Sequence, residues 1–287
     1  MNVLVATDGS KYGGWGLNWV ATLPFMRPPI VTVLHVLDVA RLRAPFLSQP
    51  VMAGTERYIH EEIRRMETQS AKTLKEATEE LAALKLKGRV RKEQGAVAPT
   101  ILKRAPKRDG LLVVGSQGLD ALDRFMLGSV STNLIHHATC PVLVVKGEAA
   151  PLRRMILAID GSNASAKALA FVLAKFRPKH AAGKDGHVPI HVGVVHVRPS
   201  ARYSGLDEAN RTLTDQSVQR LIKAGFTAES LCQFGNPADE IMKVASTQHA
   251  DLIVMGAKGL GAVARFLMGS VSTRVVQQAN RTVLVVR

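Results

Sequence analysis

Cysteine is scarce: the 287 residues hold two, Cys140 and Cys232. They lie far apart, with no Cys-x-x-Cys and no histidine at ligand spacing, which excludes a disulfide framework and a structural zinc site and leaves buried or indifferent thiols. Aromatic residues make up only 5% of the chain and do not interleave with basic ones, so a stacking platform for single-stranded nucleic acid is not expected. Acidic residues are outnumbered, 23 against 38 Lys and Arg, for a net charge of +15. The basic residues are spread over both halves, so this excess reads as general solvation rather than as a nucleic-acid or lipid surface. Long apolar runs are absent too: Leu111 to Val114 and Val142 to Val145 have strand length, far short of a membrane span. The start, Met1 into Val3, Leu4 and Val5, carries neither a basic segment nor a cleavage site, and a cytoplasmic protein is expected.

Signatures of catalysis are missing as well. No Gly-x4-Gly-Lys-Ser/Thr and no Gly-x-Ser-x-Gly occurs, and His60-Glu61-Glu62 is followed by Arg64 where a zinc-protease helix needs its second histidine. What the chain does have is a globular composition, 46% hydrophobic and 21% charged, and enough length for two domains.

An internal repeat organises it. Gly115 to Val145 aligns without a gap on Gly256 to Val286, with 16 of 31 positions identical. Val3 to Ser10, ending in Asp8-Gly9-Ser10, matches the run ending in Asp160-Gly161-Ser162, and Leu34-His35-Val36 matches Val195-His196-Val197. Gly147 to Leu152, with Pro151, reads as a linker, giving domains 1–147 and 152–287. In the first copy, β-branched runs predict strands near 2–7, 30–36, 89–94, 111–115 and 141–146. Between them, Thr55 to Lys87 has the apolar spacing of one long amphipathic helix, with a counterpart near Asp207 to Ala224. Alternating strands and helices predict an α/β fold, with parallel sheets covered by helices on both faces.

Strand Leu111 to Val114 runs into Gly115-Ser116-Gln117-Gly118, then nine residues, then Gly128-Ser129 at the head of a helix. The second copy repeats this as Gly256-Ala257-Lys258-Gly259, nine residues, and Gly269-Ser270. Glycines at a strand's carboxyl end let the backbone turn and approach an anion closely, and a helix start offers unpaired amides and a serine hydroxyl. One such spacing is ordinary turn punctuation; its repetition in the same strand-to-helix context points to phosphate.

With this doubled Gly-x2-Gly-x9-Gly-Ser pattern, the opening Asp-Gly-Ser and the closing Pro-Val-Leu-Val-Val of the first copy, the chain resembles a tandem universal stress protein along essentially its whole length. The resemblance implies two tandem Rossmann-like domains of flavodoxin-type strand order, each with a five-stranded parallel sheet. It implies ATP, with or without Mg²⁺, held at the carboxyl edge. Gly115, Gly118, Gly128, Ser129 and Val130 in the first copy, and Gly256, Gly259, Gly269, Ser270 and Val271 in the second, would hold phosphates and ribose. Asp8 and Asp160 would lie against ribose or metal-bound phosphate, and the main chain of Val36 and Val197 would read the adenine edge. The closing strands of the copies would pair as an internal pseudo-dimer, open to further homodimer formation. The function implied is a nucleotide-dependent regulatory module read by a protein partner, not an enzyme. A slow Mg-dependent ATPase or phosphotransferase, and a scaffold without nucleotide, are the alternatives.

Structural readings stand beside these roles. Asp8, Asp160, Ser129 and Ser131 are good helix caps. His35 and His196 are expected to pack within the sheet, and His136 and His137, replaced by Gln277 and Gln278, on the surface. Gly110 stands in the place of Asp251, a change expected to loosen the turn before the first loop. Lys11 to Gly16 is glycine-rich for a helix start.

Overall fold

The computed structural model describes residues 1–39, 55–107, 109–118, 127–182, 186–198, 207–259 and 268–287. The first half runs β1 (Asn2–Thr7), α1 (Lys11–Thr22), β2 (Ile30–Leu37), α2 (Thr55–Ala83), β3 (Gly88–Gln94), α3 (Val97–Arg104), β4 (Gly110–Gly115), α4 (Ser129–His137) and β5 (Val142–Val145). The second half runs β6 (Arg154–Ala158), α5 (Asn163–Lys175), β7 (Lys179–Ala182), β8 (Gly186–Pro189), β9 (His191–Arg198), α6 (Asp207–Lys223), β10 (Thr227–Phe234), α7 (Pro237–Thr247), β11 (Leu252–Gly256), α8 (Ser270–Gln278) and β12 (Thr282–Val286). Among the described residues, no helix is long and apolar enough to cross a membrane.

Each half contributes five parallel strands to one ten-stranded sheet, in the order β10-β9-β6-β11-β12-β5-β4-β1-β2-β3. The order within a half is therefore 3-2-1-4-5, the Rossmann order, and not the flavodoxin-type 2-1-3-4-5 that the sequence reading implied. The strands themselves give the reason. In the flavodoxin order the third strand is internal and covered on both faces, yet β3 reads Gly-Arg-Val-Arg-Lys-Glu-Gln and is mostly exposed. Such a strand belongs at an edge, where its charges also discourage pairing with other chains. β2, almost wholly apolar and buried, takes the internal position.

Alternation along the strands feeds a core on each face of the sheet. On one side Val3, Val5, Val31, Val33, Leu111 and Val113 pack under α1 and α2, continuous with Met155, Leu157, Val192 and Val194 under α5 and α6. On the other, Leu4, Leu34, Leu112 and Val114 meet α3 and α4, continuous with Ile156, Val195, Ile253 and Met255 beneath α7 and α8. α1 keeps its glycines for this packing: a methyl at Gly16 would come within 3.2 Å of Val5 Cγ1, and one at Gly13 would strike Thr7.

The halves meet where β5 and β12 pair antiparallel, with Leu143 opposite Leu284 and Val142 opposite Val285, all fully buried. Past each strand a cation reaches across the seam to the other half's last helix. Lys146 Nζ donates to Gln277 O at 3.3 Å, and Arg287 donates to Ile135 O. The Phe25 and Phe176 rings, 5.8 Å apart, and the Trp19 indole on Gly147 O, at 2.9 Å, close the helix side. Among the described residues, the hairpin β7–β8 has no counterpart in the first half.

Candidate functional site

In each half the chain leaves β1 or β6 toward one side for the second and third strands, then returns to the other side for the fourth and fifth. This reversal opens a crevice at the strands' carboxyl ends, between β1 and β4 and between β6 and β11. The glycine loops follow β4 and β11 at that spot.

Gly115 and Gly256 are required by close approach to a helix. A methyl on Gly115 would lie 2.6 Å from Tyr12 Cβ, and one on Gly256 would lie 2.5 Å from the Ala164 carbonyl carbon. Gly118 and Gly259 face the aspartate that both copies carry just after the first strand, where a methyl would stand 2.6 Å from Asp8 Oδ2 and 2.8 Å from Asp160 Oδ2. Each loop closes on itself, Gly128 N donating to Ser116 O and Gly269 N to Ala257 O, both at 2.8 Å. The intervening residues 119–126 and 260–267 lie outside the described ones.

Gly128 and Gly269 are the N-caps of α4 and α8 and bring no side chain to the cap. Ser129, Val130, Ser270 and Val271 are thus the first helical residues, with amides that have no intrahelical acceptor, at the positive end of the helix dipole. The capping role expected for Ser131 is a different one. Its hydroxyl donates to Gly115 O at 2.6 Å, while that of Ser272 donates to Ala257 O at 2.7 Å, each tying its loop to the helix.

Asp8 and Asp160 are not the caps of α1 and α5. Ser10 and Ser162 hold those positions, and each aspartate accepts from the serine amide two residues on, at 2.9 and 3.0 Å. Gly9 and Gly161, at φ of +85° and +81°, make the turn that presents the carboxylates to the loop glycines. His35 and His196 are buried, their Nδ1 atoms 3.0 and 2.9 Å from Thr7 O and Ile159 O, which fixes the second strand beside the first. Val36 stands one residue beyond the last pair of β1 with β2, Thr7 with His35, and Val197 two beyond Ala158 with Val195.

In the second half these parts enclose a cleft of about 490 Å³. One end is apolar, with Val195, Val197, Pro237, Ile241 and Met255; the other is polar, with Asp160, Lys258, Gly259 and Ser270. Pro237 and Ile241, on α7, and Lys258 were not singled out from sequence, although Lys258 lies inside the glycine pattern. The first half differs from this arrangement at several positions, and two of the differences meet. Tyr12 replaces Ala164, Gln117 replaces Lys258, and the Tyr12 hydroxyl donates to Gln117 Oε1 at 2.8 Å. Its Gly115-Ser116-Gln117-Gly118 turn is thus uncharged where the second carries Lys258.

Other candidates fall elsewhere. His137 is exposed, but His136 is half-buried and not a plain surface residue; burial first, then the nearby His137 and Arg287 charges, lower its pKa. Cys140 is buried, which pushes its thiol up to about 11, and Cys232 is exposed. Gly110 and Asp251 lie at the amino ends of their strands, at the opposite end from the glycine loops. Among the described residues, no group of three or more His, Cys, Asp or Glu could hold a metal ion.

A family model described as the universal stress protein family matches residues 1–146 and again 151–287. A universal stress protein of Mycolicibacterium smegmatis is 31% identical over 297 residues, covering 99% of this chain and 96% of its own. One of Mycobacterium tuberculosis is 29% identical over 294 residues, with the same coverage. Among solved structures, a universal stress protein from Archaeoglobus fulgidus superposes with a TM-score of 0.67 at 21% identity, covering 100% of this chain and 98% of its own.

Proposed function

The chain belongs to the universal stress protein family, and from that premise we propose that it is a stress-response module that holds an adenine nucleotide, principally in its second half, and offers the loaded surface to a protein partner. The observation that carries this reading is the two-part cleft of the second half. Its apolar end, lined by Val197 and Ile241 among others, has the character for a purine base, with the Val197 main chain beside it. Its polar end gathers the amides of Ser270 and Val271, the Ser270 hydroxyl and the Gly259 and Gly269 backbone around a space suited to phosphate oxygens. In this reading Lys258 balances their charge, and Asp160 would meet ribose hydroxyls or a phosphate-bound Mg²⁺. Gly256 serves by letting α5 pack close, which sets the loop's position.

The first half repeats the cradle with Asp8, Gly115, Gly118, Gly128, Ser129 and Val130, and with the Val36 main chain. Its Tyr12–Gln117 bond and missing cation make it the weaker site. A bound nucleotide would then act by bridging α7 and α8 across the cleft, a surface that a partner can read. Turnover is not part of the reading: the one carboxylate among the described lining residues, Asp160, is assigned to ribose or a phosphate-bound Mg²⁺ rather than to water attack.

Calorimetric titration with ATP and AMP, with and without Mg²⁺, tests it. A side chain at position 259 would press on Asp160 and fill the phosphate approach, so Gly259→Val should weaken binding about tenfold or more, the loss of one or two charge-assisted hydrogen bonds. Gly118→Val should change the main isotherm little. Circular dichroism separates this from misfolding. No heat with any nucleotide ends the proposal, and multiple turnovers of ATP abolished by Asp160→Ala would replace it with an ATPase.

A further inference from the structure

The first half contains a second cavity, of about 470 Å³, at the amino ends of β1, β2 and β3 and so at the opposite end of these strands from the glycine loop. Its floor is the apolar side of the strands, with Leu4, Ile30 and Leu34. Arg89 and Arg91 stand beside Thr32 and Leu34 in register and, with Lys87, form one wall; Arg104 and Pro106 form the other. Arg104 pairs with Glu93 at 2.6 Å. Among the described residues, no carboxylate lies within ion-pair distance of Lys87, Arg89 or Arg91.

The cavity exists because of sequence differences between the halves. α7 runs for 11 residues, and the Arg154 guanidinium donates to Gln248 beyond its end, while the Asp251 carboxylate receives the Arg153 and Arg154 amides. That end of the second sheet is covered. In the first half α3 stops after 8 residues, because Ala105 precedes Pro106 and a residue before proline avoids the helical region. Pro106 then folds onto Gly110, where any side chain would collide with the proline ring. Gly110 in place of Asp251 and Asn2 in place of Arg154 leave the sheet face open. The walls differ in the same way: the positions of Arg89 and Arg91 are Glu229 and Leu231 in the second half, and Glu229 there is paired with His191 at 2.9 Å.

We propose that this groove is a second ligand site, for a phosphorylated small molecule with an apolar body. The volume falls in the range of small-molecule sites, the floor supplies apolar contact, and the three cations without carboxylate partners are complementary to phosphate. The general excess of basic residues does not account for it, because the repeat carries no cation at the positions of Arg89 and Arg91. The inference is independent of nucleotide binding in the other cleft.

Octyl phosphate, kept below its micelle concentration, is the probe, titrated calorimetrically into the full chain. One saturable site is expected, weakened more than tenfold in the Arg89→Glu/Arg91→Glu variant and weakened progressively by added salt. Both arginines are exposed, so that variant should fold, and circular dichroism checks this. The Ser270→Ala variant should give the wild-type curve, which separates this groove from the nucleotide cleft. Pyrophosphate binding more weakly than octyl phosphate supports the apolar contribution. Octyl glucoside binding as well as octyl phosphate, an isotherm unchanged by the double substitution, or no binding at all would overturn the proposal.

Discussion

Lys146 shows how much a single position at the seam can set. Burial drives its ammonium pKa from 10.5 down to about 8, even though Nζ donates to Gln277 O. The folded pKa is thus lowered. Below about pH 8 both states carry the proton, and the folded state bears the desolvation. Between about 8 and 10.5 the folded chain releases a proton that the unfolded chain keeps, so stability rises with pH through that window. Relative to a Lys146→Met variant, urea denaturation should show wild-type stability increasing by on the order of 1 kcal/mol from pH 7.5 to 10. A constant difference between the two proteins would mean that the lysine is solvated at the seam. The loop glycines and Asp8 and Asp160 could be read from the sequence because each occurs twice at the same spacing. The Tyr12–Gln117 bond could not, since its partners are 105 residues apart and nothing local marks either one.

At the scale of elements, α3 and α7 occupy equivalent places but are built differently. α7 opens with the Asn236 carboxamide accepting from Ala238 N and Asp239 N, Pro237 at its first turn, and Asp239 and Glu240 near the positive end of the dipole. α3 starts at Ala96 without a side-chain cap. Asn236→Ala should therefore cost about 1 kcal/mol of stability. Because α7 carries Pro237 and Ile241 into the cleft, nucleotide affinity should fall along with the denaturation midpoint. Loss of stability alone would separate the helix from the site. Most strands and the long helix α2 were legible from apolar periodicity, within a few residues of their ends. The β7–β8 hairpin was not: Lys179–Ala182 and Gly186–Pro189 lack an apolar alternation, and their pairing is fixed by backbone hydrogen bonds that leave no mark in the sequence. The strand order was legible in principle, since the polarity of β3 already marked it as an edge.

For the whole molecule, the β5–β12 pairing turns two sheets into one and makes each core face continuous across both halves. Such a structure should unfold as a unit. Leu284→Ala, at the centre of the seam, should lower stability by about 2–5 kcal/mol, and hydrogen exchange should quicken in β4 and β5 as much as in β11 and β12. Two separate transitions in the wild type would show instead that each half stands alone.

The antiparallel seam also fixes which way everything faces. Strands of the first half point one way along the sheet and those of the second half the other, while equivalent helices stay on the same face. The two glycine cradles therefore open on opposite rims. The basic groove, at the tail ends of the first half's strands, shares a rim and a face with the second half's cleft, roughly five strand spacings or about 25 Å away. A chain made of two near-copies thus has a front and a back: one rim carries two chemically distinct cavities that a single partner can span, and the other carries the first half's glycine cradle.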